Sequence, residues 1–432
     1  MNSINTLRTK TFAIYGLGVT GKSVIKFFQR NQIKKYASWD DLKNKRNNFK
    51  KKINKKKFAE LLNKSDFIVL SPGIKINECQ FSKTLLKNKS KIITDLDIFY
   101  LINKNIKSIV VTGSNGKSTT CKILENLLRK NKFKVKLGGN IGKPILNLKY
   151  HKNIFYIIEA SSFQLAYSKL IKPLYALILN ITKDHLDWHL NMKNYSDSKF
   201  KIFSLQKKNN YALLSNKNLI KKFKKKKYLS NLRIVKLSSY KKIKKDIKNK
   251  YLKLNFNDEN MSFAYEISKV LKIKKNSFIK SLENFKGLKH RHEIFLKKRS
   301  LIFINDSKAT SFEATKYALK NNKNIYWIVG GLPKDGDKFY LKNVKKNINK
   351  VFIIGKNINF FKREIKRYLK FKSTGTLKKS IQLIFNELKN KSFKNTTILL
   401  SPASASFDQY KNFNERGNEF KNLVIQNANK YF

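Results

Sequence analysis

The sequence predicts an α/β protein whose parallel sheets are flanked by helices and arranged in three consecutive blocks. Three observations carry this. Short apolar strands alternate with helical stretches along most of the 432 residues. Two glycine-rich turns, "GLGVTG" at 16–21 and "TGSNGKST" at 112–119, each stand between such a strand and such a helix. The segments "IFYIIE" and "LYALILN" are apolar almost throughout, as strands covered on both faces are.

The first block, residues 1 to about 95, opens with the strand "TFAIYG", a glycine turn and the helical "KSVIKFFQRN". The runs "YASWD", "DFIVLSPG" and "SKIITD" continue its sheet. From about 96 a second block repeats the logic: the strand "IKSIVVTG", the loop, the helix "KSTTCKILENLLRKN", then two buried strands. Residues 210–255 are lysine-rich and weakly patterned, and no element is assigned there. A third block starts near 288, with strands "LIFIND", "NIYWIVGG", "KVFIIG" and "TTILLSPAS" between helical stretches.

Composition bounds the partners. The formal net charge is +68, but lysine outnumbers arginine by roughly eight to one and is spread along the chain with abundant Asn and Ile. That pattern reads as a compositional bias. A nucleic-acid surface is more often local and arginine-bearing, because Arg makes bidentate base and phosphate contacts, so no specific nucleic-acid partner is expected. Two cysteines cannot build a disulfide framework. No apolar run approaches the roughly 18 residues of a membrane span, and the N-terminal stretch lacks a signal-peptide pattern. The expectation is a cytoplasmic protein. Acids total only 27 and histidines 5, so their clusters merit attention: "DHLDWH" and "KHRHE" hold four of the five histidines.

Five constellations carry chemistry. In "GLGVTG" glycines let the backbone approach a pyrophosphate beside a helix N-terminus, and Asp40 of "SWDD" follows at the distance of a ribose-binding acid. Taken by itself this turn is a weak signal, and a plain tight turn remains the alternative. In "VVTGSNGKSTT" the N–H groups of Gly113, Ser114, Asn115 and Gly116 suit an anion nest, Lys117 reaches for terminal phosphates, and Ser118 or Thr119 offers a hydroxyl to Mg²⁺. Its glycines stand two residues apart, where the ordinary P-loop has four between them. Third, Glu159 ends one central strand and His185 follows the next, at the sheet end where α/β folds bind ligands; carboxylate and imidazole there suit metal binding. Fourth, "LIFINDSKATS" places Asp306, Lys308 and Thr310 at a strand end, for phosphate or carboxylate recognition, or else caps a helix with Asp306 or Ser307. Fifth, the serine-rich "SPASASFDQYKNFNERGNEF" suits an anionic ligand through hydroxyls and N–H groups.

"TGSNGKST", "GGNIGKP", "EASSFQL" and "NITKDHLDWH" together resemble the nucleotide motifs of the Mur ligases, ATP-dependent amide-forming enzymes of peptidoglycan synthesis whose P-loop is itself short. The resemblance spans nearly the whole chain, and "SPGI", "HRHE", "NDSKATS" and the C-terminal serine motif extend it toward the D-glutamate-adding branch. It implies Rossmann-like N-terminal and C-terminal domains around a central P-loop domain, at 1–95, 96–287 and 288–432. These would hold UDP-N-acetylmuramoyl-L-alanine, ATP and D-glutamate, the third domain closing over the other two in a monomer. It implies that Val19, Thr20, Asp40 and Ser71 lie at the UDP-sugar, and that Asn140 touches this substrate near the reacting centre. Lys117, Ser118 and Thr119 would hold ATP phosphates, and Ser118, Glu159 and His185 would serve two Mg²⁺ ions. Lys199 would be carbamylated and so become an anionic metal ligand. Asn260 would meet adenine, and Arg291, Asp306 and Lys308 would complete the nucleotide side. Thr310, Lys334, Ser406 and Phe413 would hold D-glutamate.

Three departures stand out: Trp188 where the family commonly has Arg, Phe256 where a histidine is usual, and a loose "GGLPKDGDKF" loop. Three rivals remain open at this stage. Another Mur-type or folate-type ligase would lack the C-terminal motif. An NAD-dependent oxidoreductase built on "GLGVTG" leaves the phosphate loop unexplained. A basic nucleic-acid-binding protein would show local arginine patches.

Overall fold

A computed structural model of the chain describes residues 3–47, 53–103, 105–334, 336–389 and 395–431. The chain divides into two compact units, Met1–Phe285 and Lys286–Phe432. The first unit holds two sheets and the second unit one.

The first sheet has the order β2-β1-β3-β4, all parallel, from β1 (Phe12–Tyr15), β2 (Tyr36–Trp39), β3 (Phe67–Leu70) and β4 (Ile92–Ile93). The helix Val19–Arg30 leaves β1 through the glycine turn. β4 passes into the helix Asp95–Ile102, whose N-terminus is closed by a capping box between Thr94 and Asp97. Asp97 also accepts from Lys169 N and Leu170 N at 2.9 and 2.7 Å, which ties this helix to the second sheet.

The second sheet has the order β10-β9-β8-β5-β7-β6, again all parallel. Its strands are β5 (Lys107–Thr112), β6 (Val135–Gly139), β7 (Phe155–Glu159), β8 (Tyr175–Ile178), β9 (Tyr211–Leu214) and β10 (Asn231–Ile234). β5, first in sequence, lies between β7 and β8, so the chain switches direction across the sheet at its own phosphate loop. Such a switch point opens a crevice at the carboxyl ends of the strands. β5, β7 and β8 are buried along most of their length, which explains their unbroken apolar character.

Residues 210–255, where the sequence shows little pattern, contain β9, β10 and the helices Lys217–Lys225 and Leu237–Lys244. Their apolar positions are few but well placed. Leu219 and Phe223 pack on one face of the sheet, Tyr240 and Ile243 on the other, while lysines fill the solvent side. The density of lysine hides the period of 3.6.

The second unit carries a sheet of order β11-β12-β16-β13-β14-β15. Its strands are β11 (Glu293–Lys298), β12 (Leu301–Asn305), β13 (Ile325–Gly330), β14 (Ile348–Ile354), β15 (Phe371–Gly375) and β16 (Thr396–Leu400). β11 is antiparallel to β12 and the other pairs are parallel. Among the described residues no helix is long and apolar enough to cross a membrane.

Candidate active site

The phosphate loop is held from three sides. Gly113 and Gly116 take positive φ (154° and 82°), and Gly116 forms the N-terminal boundary of the helix Lys117–Lys130. A Cβ at Gly116 would stand 2.3 Å from Asn260 Oδ1, so only glycine fits that approach. Asn260 in turn accepts from Thr120 Oγ1 at 3.1 Å. At the loop tip, Ser114 N donates to Asn180 O at 2.9 Å, while Ser114 Oγ lies 2.9 Å from Tyr195 OH and accepts from Thr182 N at 2.9 Å. The short glycine spacing therefore produces a tightly tethered βα turn.

Two lysines converge on one carbonyl. Lys117 Nζ donates to Gly113 O and Ser114 O at 2.8 and 2.7 Å, and Lys199 Nζ donates to Gly113 O at 2.9 Å. Lys199, on the helix Met192–Phe200, is 1% exposed and sits 4.6 Å from the Tyr195 ring centroid. Burial, and then the nearby Lys117 charge, hold its amine well below the ordinary lysine pKa.

Glu159 closes β7 and is buried. Its Oε1 accepts from Asn140 Nδ2 at 2.8 Å, and Asn140 N donates to Glu159 O at 2.8 Å, so the two expected residues are joined. Glu159 Oε2 is buried with no hydrogen-bond partner. His185 adopts the left-handed conformation (φ 55°) and contacts Asp184 at 3.3 Å, with the Phe163 ring 4.7 Å away. His189 of the same motif stacks on Phe163, and its pKa is pushed down to about 4 by burial first and the Lys199 charge second. Trp188 packs against Phe163 and Tyr167.

Among the described residues no group of three or more His, Cys, Asp or Glu side chains forms a metal centre. The expected set of Ser118, Glu159, His185 and Lys199 contains one carboxylate. Glu159 Oε2 is a hard oxygen left without a proton donor, and this is the kind of atom a magnesium ion satisfies. The donor chemistry at Glu159 and Ser118 fits Mg²⁺. Lys199 as an amine does not, and would need to be converted to an oxygen ligand.

In the first sheet, Gly16, Gly18 and Gly21 stand at G-x-G-x-x-G spacing. A Cβ on Gly21 would meet Gly16 O at 1.9 Å, so the helix packs directly on the turn. Ser71 Oγ donates to Gly16 O at 2.7 Å. Asp40 accepts from Leu17 N at 2.7 Å and Leu42 N at 3.0 Å, and pairs with Lys45 at 3.6 Å. Its carboxylate thus shapes the glycine turn. Val19 is 75% exposed and Thr20 half-buried at the mouth of that turn.

In the second unit, Asp306 follows β12 and accepts from His292 N at 3.0 Å and Ser401 Oγ at 2.7 Å. Burial raises its pKa to about 7 against these bonds and the Arg291 charge. Lys308 Nζ stands 3.8 Å over the Phe413 ring, and Ser307 Oγ donates to Phe413 O at 2.8 Å. The alternative that Asp306 or Ser307 caps a helix is wrong. The helix Phe312–Asn321 starts five residues later, and Ser311 accepts from Ala314 N. Leu332 and Ala405 pair across an antiparallel bridge, which brings the Lys334 loop beside the buried Ser406. Thr310 and Lys334 are half-buried. Asp335 of that loop lies outside the described residues.

Two groups escaped the sequence reading. Arg416 is 1% exposed and donates to Ser307 O and Ser404 O at 2.9 and 3.0 Å and to Ser307 Oγ at 3.1 Å. In a chain that uses lysine nearly everywhere, an arginine in the C-terminal motif was the signal. Asn180 opens "NITKDHLDWH" and Glu259 immediately precedes Asn260, but nothing in the sequence marks the two as partners behind the phosphate loop.

A switch-point phosphate loop with a lysine, and a spare buried carboxylate oxygen on the neighbouring strand, define a nucleotide-dependent phosphoryl-transfer site. The Mur ligase middle domain matches residues 111–279 and the Mur ligase MurD-like N-terminal domain matches residues 10–93. The chain belongs to the Mur ligase family. It is 31% identical over 443 residues to the UDP-N-acetylmuramoylalanine–D-glutamate ligase of Rickettsia felis, covering 97% of this chain and 98% of that protein. It is 33% identical over 489 residues to the protein of the same name from a Wolbachia of Brugia malayi, covering 96% of each. Among solved structures, MurF ligase from Thermotoga maritima in complex with ADP superposes with a TM-score of 0.57 at 17% identity, covering 98% of this chain and 99% of that one. MurC from Thermotoga maritima gives 0.55 at 14% identity, covering 97% and 100%. The two structures share the fold.

Proposed function

We propose that this chain is the ATP-dependent ligase that joins D-glutamate to the alanyl carboxylate of UDP-N-acetylmuramoyl-L-alanine in peptidoglycan precursor synthesis. The observation that carries the reading is the site at the end of the second sheet: Lys117 on a short phosphate loop, beside a strand that ends in Glu159 with one oxygen unsatisfied. The relatives' shared name, over nearly the full length of the chain, supports the choice of substrates.

In this reading the substrate carboxylate attacks the γ-phosphate of ATP and gives an acyl phosphate and ADP. The amine of D-glutamate then attacks the acyl carbon, and phosphate leaves. Lys117 offsets the charge that builds on the transferring phosphoryl group, an electrostatic contribution. Ser118 and Glu159, with His185, would hold Mg²⁺, which when bound neutralises phosphate charge. Burial holds the Lys199 amine well below the ordinary lysine pKa, which favours the neutral form that reacts with CO₂, and carbamylation would supply the missing oxygen ligand. Asn140, hydrogen-bonded to Glu159, would orient the nucleotide substrate. Val19, Thr20 and Ser71 would line its diphosphate, with Asp40 shaping that turn. Asn260 would meet adenine, with Arg291, Asp306 and Lys308 completing the nucleotide side, while Thr310, Lys334, Ser406 and Phe413 would hold D-glutamate. We assign the three domains to 1–95, 96–287 and 288–432 in a cytoplasmic monomer, where ATP and a sugar nucleotide are supplied.

The test is ADP release with UDP-N-acetylmuramoyl-L-alanine while the added amino acid is varied. Stimulation by D-glutamate, abolished in Lys117→Ala, is expected. Equal stimulation by another amino acid, or full turnover in Lys117→Ala, would reject the proposal.

A further inference from the structure

Asn180, in the turn after β8, grips the phosphate loop at two successive residues. Its backbone oxygen accepts from Ser114 N at 2.9 Å and its side-chain Oδ1 accepts from Asn115 N at 2.9 Å. Its Nδ2 points the other way, donating to Glu259 Oε2 at 2.5 Å, with Asn115 O a further 3.4 Å contact. The second oxygen of Glu259 accepts from Ser215 Oγ at 3.4 Å, just beyond β9. Glu259 lies in the first turn of the helix Asp258–Val270, one residue before the Asn260 that packs on Gly116. One helical turn thus braces both the tip and the far end of the loop.

An amide side chain offers an oxygen on one side and an NH₂ on the other, and its shape does not choose between the two flips. An ionised carboxylate only accepts, so it does choose. In the wrong flip Asn180 would set its NH₂ against the Asn115 N–H, two donors facing each other, and the loop tip would lose its side-chain tether at Asn115. We propose that Glu259 is a positioning residue for nucleotide binding, fixing the flip of Asn180 so that Asn180 Oδ1 holds the phosphate loop in its binding shape. This rests on the reading of the loop as the ATP site. Glu259 takes no part in the chemistry, so its effect falls on affinity more than on turnover.

The pair can be tested by charge exchange. In Asn180→Asp the oxygen that replaces Nδ2 faces Glu259, two carboxylates in contact that are tolerated only when they share a proton. ATP affinity of Asn180→Asp is expected to fall about 10-fold at pH 8 and to recover toward pH 6, where protonation relieves the pair. Adding Glu259→Gln, whose NH₂ can donate to the new aspartate, should bring affinity back to within about threefold of the original chain at both pH values. Glu259→Leu should raise the KM for ATP about 10-fold while kcat at saturating ATP changes by less than about threefold. Affinity is read with ATP in the full chain, and thermal melts accompany each variant. An Asn180→Asp defect that neither depends on pH nor is rescued by Glu259→Gln would overturn the proposal. Failure of the unaltered chain to bind ATP would instead reject the loop reading beneath it.

Discussion

Gly113 O accepts from two lysines, and this crowding explains much of the site's electrostatics. Burial first, and the Lys117 charge second, lower the Lys199 pKa. Glu159 presents the complementary problem, a buried carboxylate with only one oxygen satisfied. Such an arrangement costs stability and is expected where a ligand offsets it. Glu159→Gln keeps the shape and removes the charge. It should leave the melting temperature unchanged or raise stability by about 1 kcal/mol, while ADP release falls at least about 100-fold. Paired melts and turnover check this, and a variant that loses stability but keeps turnover would make Glu159 structural. Glu159 and Lys117 were legible in the sequence because strand ends and glycine loops mark chemistry. Asp40 was legible as a residue, yet its role in shaping the turn through Leu17 N was not, since that bond spans 23 positions of chain.

At the scale of elements, the loops after β12, β13 and β16 are joined by one side chain. Arg416, on the helix Phe413–Tyr431, donates to carbonyls of Ser307, Gly330 and Ser404. Burial lowers its pKa to about 10 against the partial offset of the nearby Asp408 charge. Arg416→Met leaves several buried carbonyls without donors and should cost about 3 kcal/mol, read as a lower denaturant midpoint. An unchanged midpoint would mean that these loops hold themselves. Strands β5, β7, β8, β12, β13 and β16 could be read from sequence because they are apolar runs bounded by turns. β10 and β15 could not: β10 is largely exposed at a sheet edge and β15 carries few buried residues, so neither shows the pattern of a covered strand.

For the whole molecule, the charge of +68 opposes compaction. Cations of residues 207–253 wrap the β10 margin of the second sheet, where 18 lysines and arginines accompany one acid, Asp246. Salt shortens the Debye length from about 10 Å at 0.1 M to about 3 Å at 1 M. The melting temperature should therefore rise by several degrees between low and high NaCl, by roughly 1 to 2 kcal/mol of relieved repulsion. A melting temperature that falls with salt would show that ion pairs such as Lys222–Asp197 outweigh the repulsion. The sequence by itself determined the α/β class, the phosphate loop, the acid and histidine positions and the family, because these depend on local periodicity and on fixed spacing within a few residues. Only the tertiary structure decided that Asn180 and Glu259 brace the loop, that Arg416 ties three strand ends together, and that one oxygen of Glu159 is left over. Each of these depends on which groups meet across dozens of residues and which bonds burial leaves unmade, and no local pattern records either.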